Sequence, residues 1–134
     1  MKITLIAENG IRLEPIPGPM TIEAESADQL YSPFHMLASG LGFCTYSVLA
    51  SWASNAKLDS TDIAVEVRWK FVEDPHRIGS IDMKIDWPSL PQQRQRAASR
   101  VAELCAIHAT LMNSPAVTTT VTTTPAAEPA SSTA

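Results

Sequence analysis

The sequence has few charged residues and no cluster of basic ones. Ten Lys and Arg stand against fourteen Asp and Glu, giving a formal net charge of −4 and a pI near 5.2. Nucleic acids are bound mainly through clustered Lys and Arg, which displace counterions from the phosphates. The scattered basic residues therefore argue against a nucleic-acid partner.

The sequence also lacks the usual marks of insertion into a membrane or export. We expect no apolar run that approaches the roughly 18 to 20 residues of a membrane span. The N-terminus, Met1 to Thr4, has no signal-peptide core. We therefore predict a cytoplasmic protein with no membrane partner.

Cysteine is scarce, with only Cys44 and Cys105. Two distant cysteines in a reducing compartment are more often free thiols or a transient redox pair than a structural disulfide. They and the three histidines lack the close C-x-x-C and H-x-x-x-H spacings of metal ligands, so we predict neither a metal nor another cofactor. The stretch around Cys44 is not the glycine-flanked elbow of a nucleophile, which argues against a Cys-His hydrolase.

The N-terminal part of the sequence reads as strands. With 134 residues, 45% of them hydrophobic, the chain is long enough for one domain with its own core. Asn9-Gly10 separates two extended apolar stretches, residues 2–7 and 11–16, which predicts a β-hairpin. Residues 20–25 alternate as a third strand would, and residues 26–31 are expected to form a loop.

A long apolar helix follows. Ser32 is a good N-cap and Pro33 a good first helical residue. From there to about residue 56, apolar residues and Cys44 recur at helical spacing, and no charged residue interrupts residues 33–55. Such a helix should be buried on nearly every side, which a subunit of this size can hardly achieve alone. The pattern therefore favours a homodimer.

The remaining elements are a hairpin and a second helix. Residues 63–71 and 81–87 alternate with period two, with Asp74-Pro75 and Gly79 predicted in the turn. Ser89 and Gln92 form a capping-box pattern, which predicts a helix over residues 90–112. Residues 117–124 are Thr-rich and β-prone. We predict one domain over residues 1–124 and a disordered tail over residues 125–134.

Two cysteines and one histidine are the candidates for chemistry. Either cysteine could simply be a small buried apolar residue. His108 lies three residues after Cys105, which on a helix puts the two side chains about 5 to 6 Å apart at Cβ. Its imidazole could take the thiol proton or stabilise the thiolate. The alternative is a polar helix residue bonded to a carbonyl or to water.

Two segments carry a family resemblance. Residues 32–45, SPFHMLASGLGFCT, resemble the first core helix of the OsmC/Ohr family of thiol-dependent peroxidases, where Pro, Glu and Leu- and Ala-rich turns precede a Cys. Residues 104–111, LCAIHATL, resemble the second motif, often Cys-Pro-Val-His-x-Thr-Leu. The order of elements agrees as well, so the resemblance covers residues 2–121.

The resemblance implies a fold and a reaction. The fold would be α+β, with antiparallel sheets and two central helices, in a swapped homodimer with active sites at the subunit interface. Cys44 would attack an organic hydroperoxide and become a sulfenic acid, and Cys105 would resolve it to a disulfide. An external thiol or dithiol would then restore both thiols.

The sequence departs from the family at one catalytic position. Family peroxidases carry a Glu soon after the helix-starting Pro, where it holds an Arg against the thiolate, but this chain has Phe34 there. The family Arg comes from the N-terminal strand region, often of the other subunit, and Arg12 is the only arginine before Arg68. Two alternatives therefore stay open. One is a weakly active or non-catalytic homodimer that binds a small apolar ligand, and the other is a protein whose cysteines are only structural.

Overall fold

The structure is a computed structural model that describes residues 32–125 with their side chains. Before residue 32 it describes the backbone of residues 2–7, 10–14 and 22–23. The fold is mixed α+β with antiparallel pairing throughout the described strands, as the sequence predicts. The predicted loop at 26–31 and residues 126–134 of the predicted tail lie outside the described residues.

The N-terminal strands form a three-stranded antiparallel sheet. Strands β1 (Lys2–Ala7) and β2 (Gly10–Glu14) pair as the predicted hairpin, and β3 (Ile22–Glu23) pairs with β2. The third strand is thus confirmed at Ile22–Glu23, and the other residues of the predicted strand lie outside the described residues. In the register of the sheet, Arg12 pairs with Thr4 on one side and with Glu23 on the other.

Helix α1 (Pro33–Asn55) begins where its cap predicts. The Ser32 hydroxyl accepts the main-chain N–H of His35 at 3.3 Å, and the His35 Nδ1 accepts the N–H of Ser32 at 3.2 Å. This is a capping box in which an imidazole takes the place usually held by Glu or Gln. The cap therefore satisfies two main-chain donors at the start of the helix.

The second hairpin supplies the surface on which α1 packs. Strands β4 (Ala64–Val72) and β5 (Arg77–Asp86) are antiparallel, with Trp69 opposite Ile81. A Cβ on Gly42 of α1 would lie 3.4 Å from Val67 Cγ2. Helix α1 therefore approaches β4 closely at this glycine.

The turn of this hairpin is shorter than predicted. It occupies residues 73–76, so Gly79 belongs to β5 and not to the turn. The strand register shifts between Lys70 and Phe71, and a Cβ on Gly79 would overlap the side chain of Val72. The glycine is thus required by the close approach of the two strands at this irregularity.

The predicted helix over residues 90–112 is wrong as a single element. A 3-10 turn (Gln92–Arg94) leads into α2 (Gln95–Ala102), and after a break α3 spans Ala106–Met112. The predicted capping box is wrong too. The N–H and hydroxyl of Ser89 both donate to the Asp62 carboxylate, each at 2.7 Å, and Pro91 precedes the 3-10 turn.

The core lies where α1 meets α2 and the end of the hairpin. It is built from buried residues that share this junction: Leu49, Ala53, Trp87, Ala98 and Ala102. The indole N–H of Trp87 donates to the carbonyl of Asp59 at 2.8 Å, which ties the hairpin to the segment after α1. Residues 113–125 have no regular secondary structure, so the β-prone stretch at 117–124 is not a strand here.

Helix α1 is long and apolar enough to cross a membrane, so the expectation that no segment approaches that length is wrong. The core helix of a folded domain meets the same criterion. Five residues at helical spacing, from Ala38 to Ala53, are buried along one face of α1, and Gly42 contacts β4. We therefore describe α1 as the core helix of the domain.

Candidate functional site

The fold brings the two cysteines together. Cys44 lies in the middle of α1 and is half-buried, whereas Cys105 is fully buried at the break before α3. Both are free thiols, and the Cys105 thiol is the largest of the influences that lower the pKa of Cys44. The pair predicted from the sequence is thus close enough to interact within a single chain.

The surroundings of Cys44 favour its ionised form. Hydrogen bonds from the Cys105 thiol and from the main-chain N–H of Ile107 lower the pKa of the Cys44 thiol below its ordinary value of 9.0. Desolvation acts in the opposite direction, and the N–H of Ala106 lowers the pKa further. Because the thiolate is the nucleophilic form, Cys44 is the more reactive choice for attack on an electrophile.

The break between α2 and α3 decides how these groups are placed. Cys105 has extended backbone angles, φ −58° and ψ 129°, and acts as the N-cap of α3. Its sulfur accepts the main-chain N–H of His108 at 3.4 Å. Cys105 is therefore not part of a continuous helical stripe, and its side chain turns back onto the first turn of α3.

This geometry corrects the expected relation between Cys105 and His108. We predicted an imidazole beside the thiol on one helix face, but the observed contact is made by the His108 main chain. In the part of the chain that the structure describes, the His108 ring makes no hydrogen bond and instead lines a cavity. An activating role for this imidazole stays a prediction.

Arg12, the fourth predicted site residue, is placed only through its backbone. It lies in β2, between β1 and β3. Its side chain lies outside the described residues, so its contact with Cys44 stays a prediction.

An aromatic cluster occupies the start of α1, at the position where the sequence resemblance led us to expect a carboxylate. Phe34 packs edge-on against Phe71 of β4 with ring centroids 4.8 Å apart. Phe71 in turn stacks on His76, whose Nδ1 lies 2.9 Å from a carboxylate oxygen of Glu73. Phe34 thus anchors α1 to the tip of the second hairpin, which sequence reasoning did not predict.

A cavity of about 680 Å³ lies between α1, β5 and the two short helices. Its walls are mainly apolar and include Leu37, Leu41, Ile81 and Leu111, with Glu103 and His108 among the polar residues. Neither cysteine belongs to its lining. The cavity is large enough for a small organic molecule, and it is adjacent to the thiol site rather than part of it.

The residues that sequence reasoning missed act through the main chain. Ala106 and Ile107 contribute amide N–H groups to Cys44, and nothing in their side chains marks them as functional. Only a prediction of the break at Cys105 could have found them. Across residues 32–125 and the three described N-terminal segments, no group of three His, Cys, Asp or Glu residues could hold a metal ion.

Comparison with known sequences gives one family match. The sequence model of the OsmC-like proteins matches residues 6–120. No curated protein sequence matches the chain.

Solved structures share the fold at low sequence identity. A Psychrobacter arcticus protein, provisionally named for osmotic-stress induction and a detoxification response, has a TM-score of 0.69 at 19% identity, with 81% of this chain and 85% of that chain covered. A hypothetical protein from Aquifex aeolicus has a TM-score of 0.66 at 16% identity and coverage of 84% and 86%. A Lactobacillus casei protein, provisionally named a redox protein, has a TM-score of 0.61 at 19% identity and coverage of 85% and 84%.

Proposed function

Because the chain belongs to the family of OsmC-like proteins, we propose that it is a thiol-dependent peroxidase that reduces organic hydroperoxides through Cys44 and Cys105. One observation carries this proposal. The Cys44 sulfur meets both a second thiol and two amide donors, which lower its pKa. A cysteine that is only part of an apolar core would have neither an ionising environment nor a resolving partner.

The reaction balances with the groups present and an external thiol. The Cys44 thiolate attacks the outer peroxide oxygen, the O–O bond breaks, and the alkoxide leaves as an alcohol after taking a proton. The resulting sulfenic acid condenses with the Cys105 thiol, forming the disulfide and releasing water. Two equivalents of an external thiol, or one dithiol, then reduce the disulfide and are themselves oxidised.

Exposure supports the assignment of the two roles. Cys44 is half-buried and can be reached by a small molecule, whereas Cys105 has no exposed surface. The first sulfur to meet a peroxide is therefore that of Cys44. The apolar residues of α1 around it favour an organic peroxide over a charged substrate.

The provisional names of two structural neighbours agree with this chemistry. One is named for a detoxification response and another as a redox protein. Free thiols that work in this way need a reducing compartment, so we also propose a cytoplasmic location.

The working assembly in this proposal is a swapped homodimer. Phe43 remains 75% exposed on α1, and Tyr46 remains 38% exposed. Together with Val65 and Trp69 of β4, they line a groove of about 450 Å³. A second copy of the chain would cover this apolar surface, as the family resemblance implies.

The test is chemical. On treatment with excess cumene hydroperoxide, peptide mapping should show a Cys44–Cys105 disulfide in the wild type. The variant Cys105→Ser should instead carry a sulfenic acid at Cys44, which a dimedone probe traps. Cys44→Ser serves as the control and should leave Cys105 reduced. If both thiols of the wild type stay reduced, the protein is not a peroxidase.

A second candidate function rests on the cavity. Its volume of about 680 Å³ and its mostly apolar walls fit a protein that binds a small apolar ligand. Phe34, in place of the expected carboxylate, favours this alternative. An apolar fluorescent probe should then bind the wild type and be excluded by Leu111→Trp, which partly fills the cavity. Peroxide should leave both thiols of such a protein unchanged.

A further inference from the structure

We propose that the cavity of about 680 Å³ binds a small amphipathic cation, a molecule with an apolar body and a protonated amine head. This inference rests on the second candidate function, the binding of a small apolar ligand, and adds the charge that such a ligand carries. It does not depend on any reaction of Cys44 or Cys105.

One side of the cavity is built for an apolar body. Helix α1 and strand β5 supply most of its apolar walls, including Leu41, which is buried, and Ile81 and Ile85, which are half-buried. Pockets of this kind bind small organic molecules mainly through such walls and orient them through a few polar groups. An alkyl chain or a ring fits this side of the cavity.

The polar side lies where α2 ends and α3 begins. Ser99 and Glu103 are four residues apart at the end of α2, so their side chains share one face. His108 lines the cavity from the first turn of α3. Ser99 and Glu103 are exposed and His108 is half-buried, so the polar groups stand at the mouth of the cavity.

The charge at this mouth is negative. Among the described residues of the lining, Glu103 is the one carboxylate, and none is Lys or Arg. Within residues 32–125, Glu103 forms no ion pair. Arg100, in the last turn of α2, is not one of the residues that line the cavity. A carboxylate without a cation attracts an ammonium group and repels another carboxylate.

The hydrogen-bonding capacity of the mouth matches the same head group. An ammonium group has three donors and no acceptor. A carboxylate, a hydroxyl oxygen and a neutral imidazole nitrogen all accept hydrogen bonds, and Glu103, Ser99 and His108 carry these groups. The cavity should therefore select an amine over a fatty acid with the same chain.

The experiment compares three ligands that share one alkyl chain. Octylamine, octanol and octanoate are titrated into the full chain by isothermal titration calorimetry at neutral pH, where the amine is a cation and the acid an anion. We expect octylamine to bind roughly threefold to tenfold more tightly than octanoate, with octanol between them, because Glu103 is exposed and its charge is partly screened by water. Added salt should reduce the preference, a measurement that needs no variant.

Three variants locate the effect. Glu103→Gln keeps the size of the side chain but removes its charge, and the preference for octylamine should disappear. The matched control is Asp82→Asn, which removes one negative charge from the opposite face of β5, since the neighbouring Ile81 lines the cavity. It should keep the wild-type preference. Leu111→Trp, which partly fills the cavity, should weaken the binding of all three ligands.

Several results would overturn the proposal. Octanoate that binds the wild type as tightly as octylamine would do so, while leaving the apolar-ligand function intact. A preference that survives Glu103→Gln, or octylamine binding that Leu111→Trp leaves unchanged, would mean that the amine is held elsewhere on this acidic protein. If none of the three ligands binds, the second candidate function fails as well. The peroxide test of the two thiols is independent of all these results.

Discussion

Replacing Phe34 by Glu tests whether the thiol site can accept the Glu–Arg ion pair that the family resemblance leads us to expect in a fast peroxidase. The new carboxylate would stand at the start of α1, one residue before His35 of the capping box. Arg12 is the cation predicted to meet it and to be held against the Cys44 thiolate. Since preorganised donors favour the thiolate, the peroxide-dependent rate should rise.

The stability cost of Phe34→Glu can be worked from the contacts of Phe34. The edge-to-face pair with Phe71 contributes about 0.5–1.5 kcal/mol, and removal of a half-buried ring costs roughly 1–2 kcal/mol more. An acidic side chain in the first helical turn returns about 0.3–1 kcal/mol through the helix dipole. The net destabilisation should therefore be roughly 1–3 kcal/mol, measured by urea unfolding.

The matched control is Phe34→Gln, which loses the same aromatic contacts but adds no charge. Single-turnover oxidation of Cys44 by cumene hydroperoxide should be faster in the Glu variant than in the Gln variant. A pKa one unit lower gives up to about tenfold more thiolate at neutral pH. Adding Arg12→Ala should abolish the gain.

Two outcomes would refute this reasoning. Equal rates in the folded Glu and Gln variants would mean that no cation reaches this end of the helix. A gain that survives Arg12→Ala would assign the role to a different cation.

The assembly, the ionisation of Cys44 and the packing of Gly79 can each be measured. Light scattering should give about twice the chain mass of 14.5 kDa at low micromolar concentration, and a stable monomer would contradict the proposed assembly. Because the thiolate is the reactive form, the rate of Cys44 oxidation should rise with pH through the lowered pKa of Cys44 and level off before pH 9.0. The same thiolate should stabilise the fold fully above pH 9.0 and lose that contribution as the pH falls through the lowered pKa. The difference in unfolding free energy between the wild type and Cys44→Ser, measured with urea, should therefore be larger at high pH. Gly79→Ala should destabilise the protein by about 1–3 kcal/mol through its overlap with Val72, and Val72→Ala should restore part of the loss; an unchanged urea midpoint would contradict the close approach.

The sequence predicts those elements whose signals are local. The cap at Ser32 and Pro33 marks the start of α1, and strict alternation marks β4 and β5. The position of Cys44 on α1 follows from the same helical spacing. Each of these signals lies within the element itself, so no knowledge of the neighbouring elements is needed.

The elements that were missed depend on tertiary contacts. No Gly or Pro marks the break before α3. This break places Cys105 in the core, where its sulfur accepts the main-chain N–H of His108. Ser89 has a cap-like pattern, but its N–H and hydroxyl donate to the Asp62 carboxylate, and the hydroxyl also donates to the Asp59 carbonyl. The Thr-rich stretch at 117–124 has high strand propensity, yet a strand forms only when an edge is present to pair with it. The two amide donors to Cys44 could not be predicted, because they depend on that unmarked break.

The contact between Cys44 and Cys105 within one chain has a genetic consequence. If each subunit carries a complete thiol pair, two defective alleles cannot rescue one another. Cells that co-express Cys44→Ser and Cys105→Ser subunits would then be as sensitive to organic hydroperoxide as cells that express either alone. Co-expression of the wild type with the double variant would leave complete pairs in half of the subunits. Rescue between the two single variants would instead mean that the thiols are exchanged across the subunit interface.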